Sequence, residues 1–272
     1  MKICIPSYRR HTSIKTLAQI PRNLWRDTLV FVRQEEYDLY RAKIDQDIEV
    51  VPIQAEDIST TRFRIGEYCR KHNAGVFMML DDDLHFVRRI DPSTTKLTPC
   101  DASDMNQMFA AVRKWLGRCA HVGVSIRQGN NNVGAGSADL LVEYNTRIIR
   151  AVAYRTKDFM ELEHRRINFV EDLDYTLQLL RKGKKNVCLY WWAQDQGMAN
   201  APGGCSEVRT LEIHEAAVKQ LHSLHPQFVT IVQKNNKTGG EFGQRTESRI
   251  QWKAAFEEGR IRNVSSVGAV NQ

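Results

Sequence analysis

The sequence lacks any apolar run of the roughly 18 to 20 residues that a membrane-spanning helix needs, so we expect no membrane partner. The apolar stretch near its start is too short for a signal peptide and is followed at once by charged residues. Its six cysteines are scattered, and none belongs to a Cys-x-x-Cys pair, which argues against a structural zinc site and a disulfide framework. These absences favour a reduced, cytoplasmic protein.

The composition indicates a sizeable core and an excess of positive charge. Of the 272 residues, 42% are hydrophobic, and a net charge of +7 favours an anionic partner such as a nucleic acid, a nucleotide or an anionic surface. No repeat and no convincing linker divides the chain. We therefore expect one domain over residues 1–232 and an extension over residues 233–272 that packs on the body or is partly flexible. Composition leaves the oligomeric state open.

Short apolar runs alternate with amphipathic segments along most of the chain. Strands are predicted over Lys2–Pro6, Thr28–Val32, Glu49–Ile53, Val76–Leu80, His121–Arg127, Ile148–Tyr154 and Asn186–Trp192. Helices are predicted over Thr61–His72 with Ser59 or Thr60 as its cap, Asp104–Cys119, Glu171–Lys182 and Leu211–Leu224. Residues 128–139 and 197–204 predict mobile loops. This alternation indicates an α/β fold with a mostly parallel central sheet, flanking helices and a C-terminal helical extension.

Three adjacent carboxylates, Asp81, Asp82 and Asp83, follow the apolar run Val76–Leu80 directly. Adjacent carboxylates repel each other, and a hard divalent cation such as Mg²⁺ or Mn²⁺ offsets that repulsion through oxygen ligands. In an extended backbone Asp81 and Asp83 share a face, and ligands bind beyond the carboxyl ends of strands in open α/β sheets. The sequence therefore predicts a metal site on Asp81 and Asp83. A solvated acidic turn is the alternative.

A second acidic pair, Glu171 and Asp172, opens the predicted helix that ends near Lys182. Acidic residues in a first helical turn are favoured by the helix dipole, which is the structural interpretation. The functional interpretation is a general base that takes the proton from an attacking hydroxyl. The pair alone is a weak signal for the functional interpretation, which gains weight because the pair follows the aspartate triplet with strands between them.

Three segments together resemble the GT-A glycosyltransferases, whose fold is Rossmann-like. They are the Ile-Pro-Ser-Tyr-Arg strand end, the Asp-x-Asp after the fourth strand, and the acidic pair Glu171-Asp172. The resemblance implies a nucleotide-sugar donor, with a UDP-sugar as the first choice, whose diphosphate is held by Mn²⁺ or Mg²⁺ on Asp81 and Asp83. It implies donor-binding roles for Pro6, Ser7, Tyr8, Arg9, Arg64, Asp81 and Asp82. Asp172 would be the base, with Glu171 beside it, in an inverting transfer; the sequence leaves a retaining outcome open.

A narrower resemblance covers residues 194–226. The runs Gln-Asp-Gln-Gly, Ala-Pro-Gly-Gly-Cys-Ser and Arg-Thr, followed by His-Pro, are similar to phage glycosyltransferases of the TET-associated group. This resemblance implies DNA as the acceptor, with 5-hydroxymethylcytosine or a related hydroxymethylpyrimidine as the modified base, and the host cytoplasm as the setting. A DNA acceptor also explains the basic surplus, and it requires the target base to leave the stack.

Four further positions are candidate acceptor-binding residues. Arg127 ends a predicted strand beside the 128–139 loop, which is either an acceptor clamp or a surface loop. Asp195 follows the apolar strand that ends near Ala193 and either helps to close the site or sits in a turn. Gly203 and Gly204 allow either a tight turn or a close approach of the backbone to a ligand.

Late histidines and other functions remain as alternatives. His214, His222 and His225 are the candidates for a further metal ligand, with half-exposed helix positions for the first two and a helix end for the third as the structural interpretation. The main functional alternative is a GT-A transferase that acts on a surface glycan or small acceptor. A nucleotidyltransferase ranks third because the Ser7–Arg10 segment lacks glycines. A non-enzymatic basic DNA-binding protein is the last alternative.

Overall fold

The computed structural model describes residues 1–134, 136, 141–196, 210–235 and 244–270. Its strands are β1 (Lys2–Pro6), β2 (Thr28–Arg33), β3 (Glu49–Ile53), β4 (Val76–Leu80), β5 (His85–Arg89), β6 (Leu97–Pro99), β7 (His121–Ile126), β8 (Val142–Tyr144), β9 (Ala151–Arg155), β10 (Asn186–Asp195), β11 (Val229–Asn235) and β12 (Gln244–Ile250). Its α-helices are α1 (Tyr37–Arg41), α2 (Ile58–Lys71), α3 (Ala102–Leu116), α4 (Thr156–Met160), α5 (Glu171–Arg181), α6 (Leu211–Leu224) and α7 (Trp252–Val270).

Within these ranges, ten strands form one sheet in the order β3-β2-β1-β4-β9-β7-β10-β5-β6, with β8 beside β10. The strands β1 to β4 run parallel to one another, and β7 runs parallel to β10. The strand β9 lies between β4 and β7 and runs antiparallel to both. The predicted α/β class with a helix-flanked central sheet is confirmed. The sheet is mixed, because β5, β6, β8 and β9 form antiparallel pairs in it. The start of β9 therefore lies at the same sheet edge as the carboxyl ends of β4 and β7.

The strand β4 lies in the middle of the sheet and is buried on both faces. Met78 and Leu80 pack into the hydrophobic cluster on one face, while Phe77 and Met79 pack into the cluster on the other. All four side chains are fully buried, and burial of each such side chain contributes about 1.5–3 kcal/mol. The continuous apolar run thus forms a rigid strand that holds the residues after it at a fixed position.

Three local predictions need correction. The cap of α2 is Asp57, whose carboxylate accepts from the Thr60 N–H at 2.7 Å, rather than Ser59 or Thr60. The strand predicted from Ile148 begins only at Ala151, because the backbone before it takes a left-handed turn. The described part of the predicted mobile loop starts with a 3-10 helix over Arg127–Asn132. The fully buried Arg89 fixes that segment by donating hydrogen bonds to its carbonyl groups.

The last described elements pack against the end of α5. The strands β11 and β12 form an antiparallel pair, and α7 lies along α5. A Cβ added at Gly259 would come within 2.5 Å of the Gly183 nitrogen and the Leu180 carbonyl oxygen, so only glycine allows this approach of α7. The Asn263 side chain donates to the Lys182 carbonyl at 2.9 Å. None of the helices in the described ranges combines the length and apolar character that a bilayer crossing requires.

Candidate active site

The three aspartates after β4 lie in a turn that Thr16 holds in place. The buried Thr16 hydroxyl donates to the Asp81 carbonyl at 2.5 Å and accepts from the Leu84 N–H at 2.9 Å. The Thr16 N–H also donates to the Asp82 carbonyl at 3.1 Å. The strand has already ended at this point, so the alternation expected to place Asp81 and Asp83 on one face does not apply here. Tertiary contacts determine where each carboxylate points.

One arginine bridges the second and third carboxylates of the triplet. The Arg10 guanidinium contacts the Asp82 carboxylate and lies 2.9 Å from Oδ2 of Asp83. The Ser7 hydroxyl donates to the other Asp82 oxygen at 2.6 Å and lies 2.9 Å from the Tyr40 hydroxyl. Burial raises the pKa of Asp82, while Arg10 and Ser7 oppose that rise. Both oxygens of Asp82 are thus engaged, and this residue ties the turn to the segment after β1.

Asp83 keeps one oxygen open. Its Oδ2 lies near Arg10 and accepts from the Gln196 side-chain amide at 3.2 Å. Its Oδ1 is buried and has no hydrogen-bond partner among the described residues. A buried acceptor without a partner costs about 1–3 kcal/mol, so such atoms are rare unless a ligand, water or ion satisfies them. This oxygen therefore fits direct contact with a cation.

A second buried arginine joins the triplet to the start of α5. The Arg62 Nε donates to Glu171 Oε1 at 2.6 Å, and its Nη2 donates to Asp81 Oδ1 at 3.2 Å. Burial raises the pKa of Asp81 to about 6, with Arg62 opposing the rise and Asp83 adding to it. Burial likewise raises the pKa of Glu171 to about 7, with Arg62 opposing and Asp172 adding. These two carboxylates therefore share one arginine.

Asp172 is the most available carboxylate of the acidic pair. It is half-buried, and its Oδ1 accepts from the Leu173 N–H at 2.8 Å. No described residue donates a hydrogen bond to its Oδ2. Val170, the residue before α5, has a φ of 56°, a left-handed conformation that is costly for a β-branched side chain and turns the chain into α5. Its neighbour Glu171, in contrast, is buried and locked by Arg62.

The charge balance of this cluster decides which ligands fit. Five carboxylates share the edge of the sheet: Asp81, Asp82, Asp83, Glu171 and Asp172. Among the described residues, Arg10 and Arg62 pair with the first four of them. Within the described ranges, no three acidic, histidine or cysteine side chains converge as a ready-made metal cage. A Mg²⁺ or Mn²⁺ ion fits a site with few protein carboxylates because substrate phosphates and water complete its shell. Asp81 and the open oxygen of Asp83 match that donor set.

The remaining donor-site candidates lie after β1, around the ring of Tyr8. We call Tyr8, Arg9 and Arg33 the Tyr8 platform. The buried Pro6 ends the strand. The Tyr8 ring lies under the Arg33 guanidinium, at 3.9 Å from the ring centroid, and the Arg9 guanidinium lies at 4.9 Å. Arg9 has a φ of 56°, and its N–H donates to a Glu36 carboxylate oxygen at 3.0 Å. This stack lies at the carboxyl ends of β1 and β2, where nucleotide ligands bind in open α/β sheets.

Arg64, expected near the phosphates or base, does not face the carboxylates. It is partly exposed and pairs with Glu67 of its own helix at 2.7 Å. The arginine that reaches the site is Arg62, two positions earlier. Arg62 shares the buried face of α2 with Ile65 and Cys69. Spacings of three and seven residues lie on one helix face, so the sequence held a signal for Arg62 that our prediction missed.

Of the four acceptor-site candidates, Arg127 and Asp195 lie within the described residues. Arg127, just after β7, pairs with Asp195 at the end of β10 at 2.7 Å. Both residues therefore lie at the sheet edge that carries the carboxylates, with the Arg127 side chain more than half exposed. Gly203 and Gly204 lie outside the described residues, as does the predicted loop 197–204.

Two of the three late histidines, His214 and His225, are buried, whereas His222 is half-buried in α6 as expected. His225 is fully buried, with Nε2 at 2.7 Å from Asp174 Oδ1 and Nδ1 at 3.0 Å from Arg181. His222 Nδ1 lies 2.6 Å from a backbone carbonyl oxygen. His214 is buried, which corrects the expectation of a half-exposed helix position. The ring nitrogens of His225 already have protein partners, so this residue serves the packing of α5 against α6.

Two curated phage proteins are similar to parts of the chain. The beta-glucosyl-HMC-alpha-glucosyl-transferase of Enterobacteria phage T2 is 27% identical over 88 residues, which cover 32% of this chain and 31% of that protein. The protein of the same name from Enterobacteria phage T6 is 30% identical over 67 residues, which cover 25% of this chain and 24% of that protein. The chain thus matches less than a third of the length of either relative.

Among solved structures, mannose-1-phosphate geranyltransferase from Thermus thermophilus is similar with a TM-score of 0.33 and 14% sequence identity, over 46% of this chain and 41% of that one. The family model of the TET-associated glycosyltransferases matches residues 1–204 of the 272, a span that begins at β1 and runs through β10. That span contains the arginine-bridged carboxylates and the Tyr8 platform. The protein belongs to the TET-associated glycosyltransferase family.

Proposed function

We propose that this protein transfers a sugar from a nucleotide donor to the hydroxyl group of a hydroxymethylated pyrimidine in DNA. The observation that carries the proposal is the cluster of carboxylates at the carboxyl edge of the sheet, with two arginines paired to it and Asp172 left available. Family membership and the HMC-directed names of the two phage relatives support a DNA acceptor. The net charge of +7 also favours a phosphate-rich partner.

Several residues of the site have separate roles in the proposed transfer. Asp172 accepts the proton of the acceptor hydroxyl on its free Oδ2 while that oxygen attacks the anomeric carbon of the sugar. The new carbon–oxygen bond forms as the bond to the donor phosphate breaks, and the electron pair leaves with the nucleoside diphosphate. Glu171 positions Arg62, which in turn orients Asp81. Burial of these groups strengthens each of these charge interactions.

We propose Asp81 and Asp83 as the residues that hold a divalent cation. The open Oδ1 of Asp83 and the raised pKa of Asp81 support this role, because a cation stabilises the charged form of both carboxylates. A bound Mg²⁺ or Mn²⁺ would neutralise charge on the donor diphosphate. The Tyr8 platform, with Arg33 and Arg9 over its ring, is suited to the nucleoside of a UDP-sugar.

The proposed acceptor region is the edge beside Arg127 and Asp195. A base in duplex DNA is inaccessible to a site of this kind, so the modified nucleotide must rotate out of the stack, at a cost of a few kcal/mol. Arg127 is well placed to contact the DNA backbone, because more than half of its side chain is exposed. Gly203 and Gly204 stay in the proposal as positions of close approach.

The direct test is an incubation with a panel of nucleotide sugars, Mn²⁺ and matched DNA duplexes that contain either 5-hydroxymethylcytosine or cytosine. Digestion of the DNA and mass spectrometry of the nucleosides measure the transfer. We expect a sugar mass increment on the hydroxymethylated nucleoside only, and its loss when a chelator removes the cation. Transfer to a glycan or small hydroxyl acceptor, with hydroxymethylated DNA left unmodified, would refute the DNA assignment.

Two variants test the metal role against a matched control. Asp83→Ala should abolish Mn²⁺-stimulated turnover of the donor, because it removes the open carboxylate oxygen. Glu212→Gln is the control, since Glu212 is an exposed acidic residue in the first turn of another helix, α6. The control should retain turnover within about twofold of the unmodified protein, consistent with a surface change. Equal Mn²⁺ stimulation in Asp83→Ala would show that the cation binds elsewhere.

A further inference from the structure

Three arginines at the carboxyl edge of the sheet are already paired with protein carboxylates. Arg10 pairs with Asp82 and Asp83, and Arg62 pairs with Asp81 and Glu171. The third, Arg127, pairs with Asp195. Each of these guanidinium groups therefore has to leave a carboxylate before it can bind a substrate phosphate with its full set of donors.

Arg150 lies at the same edge and differs from them. It immediately precedes β9, whose first residue, Ala151, pairs with Leu80 at the end of β4. The Asp81 N–H donates to the Arg150 carbonyl at 3.1 Å, so the backbone of Arg150 is bonded directly to the first residue of the acidic turn. The antiparallel course of β9 thus brings Arg150 between the carboxyl ends of β4 and β7.

The side chain of Arg150 has no protein partner in the part of the chain that the structure describes. No hydrogen bond or ion pair joins its guanidinium to a described residue, and the side chain is only half-buried. It nevertheless lies close enough to Asp81 for its charge to lower the pKa of that carboxyl, against the larger rise caused by burial. An arginine in this position has several donors available beside the proposed cation site.

The backbone of Arg150 is strained as well. Its φ is 66°, in the left-handed region where glycine or asparagine is the ordinary choice. A non-glycine residue held there costs about 1 kcal/mol or more, and such strain clusters at functional sites. Glycine or asparagine would form this turn with less strain, so the turn itself does not explain the arginine side chain at this position.

We infer that Arg150 binds the diphosphate group of the nucleotide donor and stabilises the negative charge that the departing diphosphate acquires. This inference rests on the proposed function for its donor, although the chemistry it names is only that of a diphosphate. The planar guanidinium offers paired N–H donors that match two phosphate oxygens, which a lysine ammonium cannot reproduce.

The test measures binding of UDP, uridine and inorganic pyrophosphate by isothermal titration calorimetry in the presence of Mn²⁺. Arg150→Met should weaken UDP and pyrophosphate binding about 10- to 100-fold, the range expected for lost charged hydrogen bonds, and leave uridine binding unchanged. Arg150→Lys should restore only part of the affinity. The control is Arg147→Met, an exposed arginine three positions earlier, which should bind all three ligands as the unmodified protein does.

Arg150→Gly keeps the test decisive if Arg150→Met fails to fold, because glycine accepts a φ of 66° without strain. Arg150→Gly should lose diphosphate affinity while its resistance to unfolding stays equal or rises. Unchanged UDP and pyrophosphate affinity in Arg150→Gly would overturn the inference. It would also be overturned if only the affinity for a DNA duplex fell, since Arg150 would then bind the acceptor backbone. Failure to glycosylate hydroxymethylated DNA, with the diphosphate result intact, would refute the proposed acceptor alone.

Discussion

Replacement of the buried Arg62 by methionine is the sharpest test of the electrostatic account of the site. Methionine fills much of the same space and removes the charge that Glu171 and Asp81 share at 2.6 Å and 3.2 Å. Glu171 then remains buried, and Asp81 partly buried, without their counter-charge. Loss of one partner from a buried ion pair costs about 3–5 kcal/mol in free energy of unfolding. For a chain of this size, that corresponds to a fall in Tm of about 10 °C.

The cost should depend on pH, and the sign follows from the pKa values. Arg62 favours the charged form of Glu171, whose pKa burial has already raised to about 7, and of Asp81, whose pKa is about 6. Without Arg62 both pKa values rise further, so both groups are neutral at pH 5.5 and the missing counter-charge costs little. At pH 8 each of the two carboxylates in the variant either stays charged without a counter-charge or takes up a proton. Protonation costs about 1.36 kcal/mol for each unit by which the pH exceeds the pKa of the group. The destabilisation should therefore be larger at pH 8 than at pH 5.5.

Urea denaturation followed by circular dichroism at pH 5.5 and pH 8 measures this difference. Arg64→Met is the matched control, because Arg64 lies on the same helix and forms only a partly exposed pair with Glu67, worth about 0–1 kcal/mol. The double variant with Glu171→Gln should recover a large part of the loss at pH 8, since it removes one unpaired charge. Equal destabilisation by Arg62→Met at both pH values would refute the reasoning and assign the loss to packing.

Three further predictions follow from the same contacts. Asp172→Asn should retain donor binding by calorimetry and lose transfer, because the amide cannot accept a proton; a full transfer rate would exclude Asp172 as the base. The raised pKa of Asp81 means that the stability of the cation-free protein should fall as pH rises through the range from about 4 to 6. Mn²⁺ should therefore raise Tm more at pH 7.5 than at pH 5. An Mn²⁺ effect on Tm that does not depend on pH would contradict this prediction. Gly259→Ala should lower the free energy of unfolding by about 1–3 kcal/mol in urea denaturation, because the added Cβ meets the Gly183 backbone. The control Gly75→Ala, with open space around it, should change that free energy by less than about 0.5 kcal/mol. Equal effects of the two substitutions would rule out the close approach of α7.

The elements that carry the site were readable from local sequence. The run Val76–Leu80 forms the predicted strand with the predicted bounds, because five apolar residues between turn signals satisfy both faces of a central strand. The helix Leu211–Leu224 also has the predicted bounds, since its apolar spacing and the Thr210 cap agree. The predicted start of α5 at Glu171 is correct as well, so the positions of the acidic residues at the end of β4 and at the start of α5 follow from predicted bounds.

The pairing of the site was not readable in the same way. Arg10 bridges positions 72 and 73 residues away, and Arg62 reaches a glutamate 109 residues away. The pattern of charges in a sequence predicts an ion pair only when both residues lie on one helix, three or four positions apart. The antiparallel course of β9 and the left-handed residue before it also escaped prediction, because nothing in an apolar strand specifies its direction. Arg150 reaches the site through both features.

The arginine bridges explain how an acidic cluster of this density stays folded before a cation binds. Each arginine is shared by two carboxylates, so Asp81 has only part of the charge of Arg62 and Asp83 only part of the charge of Arg10. In the proposed cation site, an ion between Asp81 and Asp83 would take the oxygen of Asp83 that has no partner without displacing Arg10 from the other oxygen. On this proposal, the negative charge that the two arginines leave unpaired would be the source of the cation's binding energy.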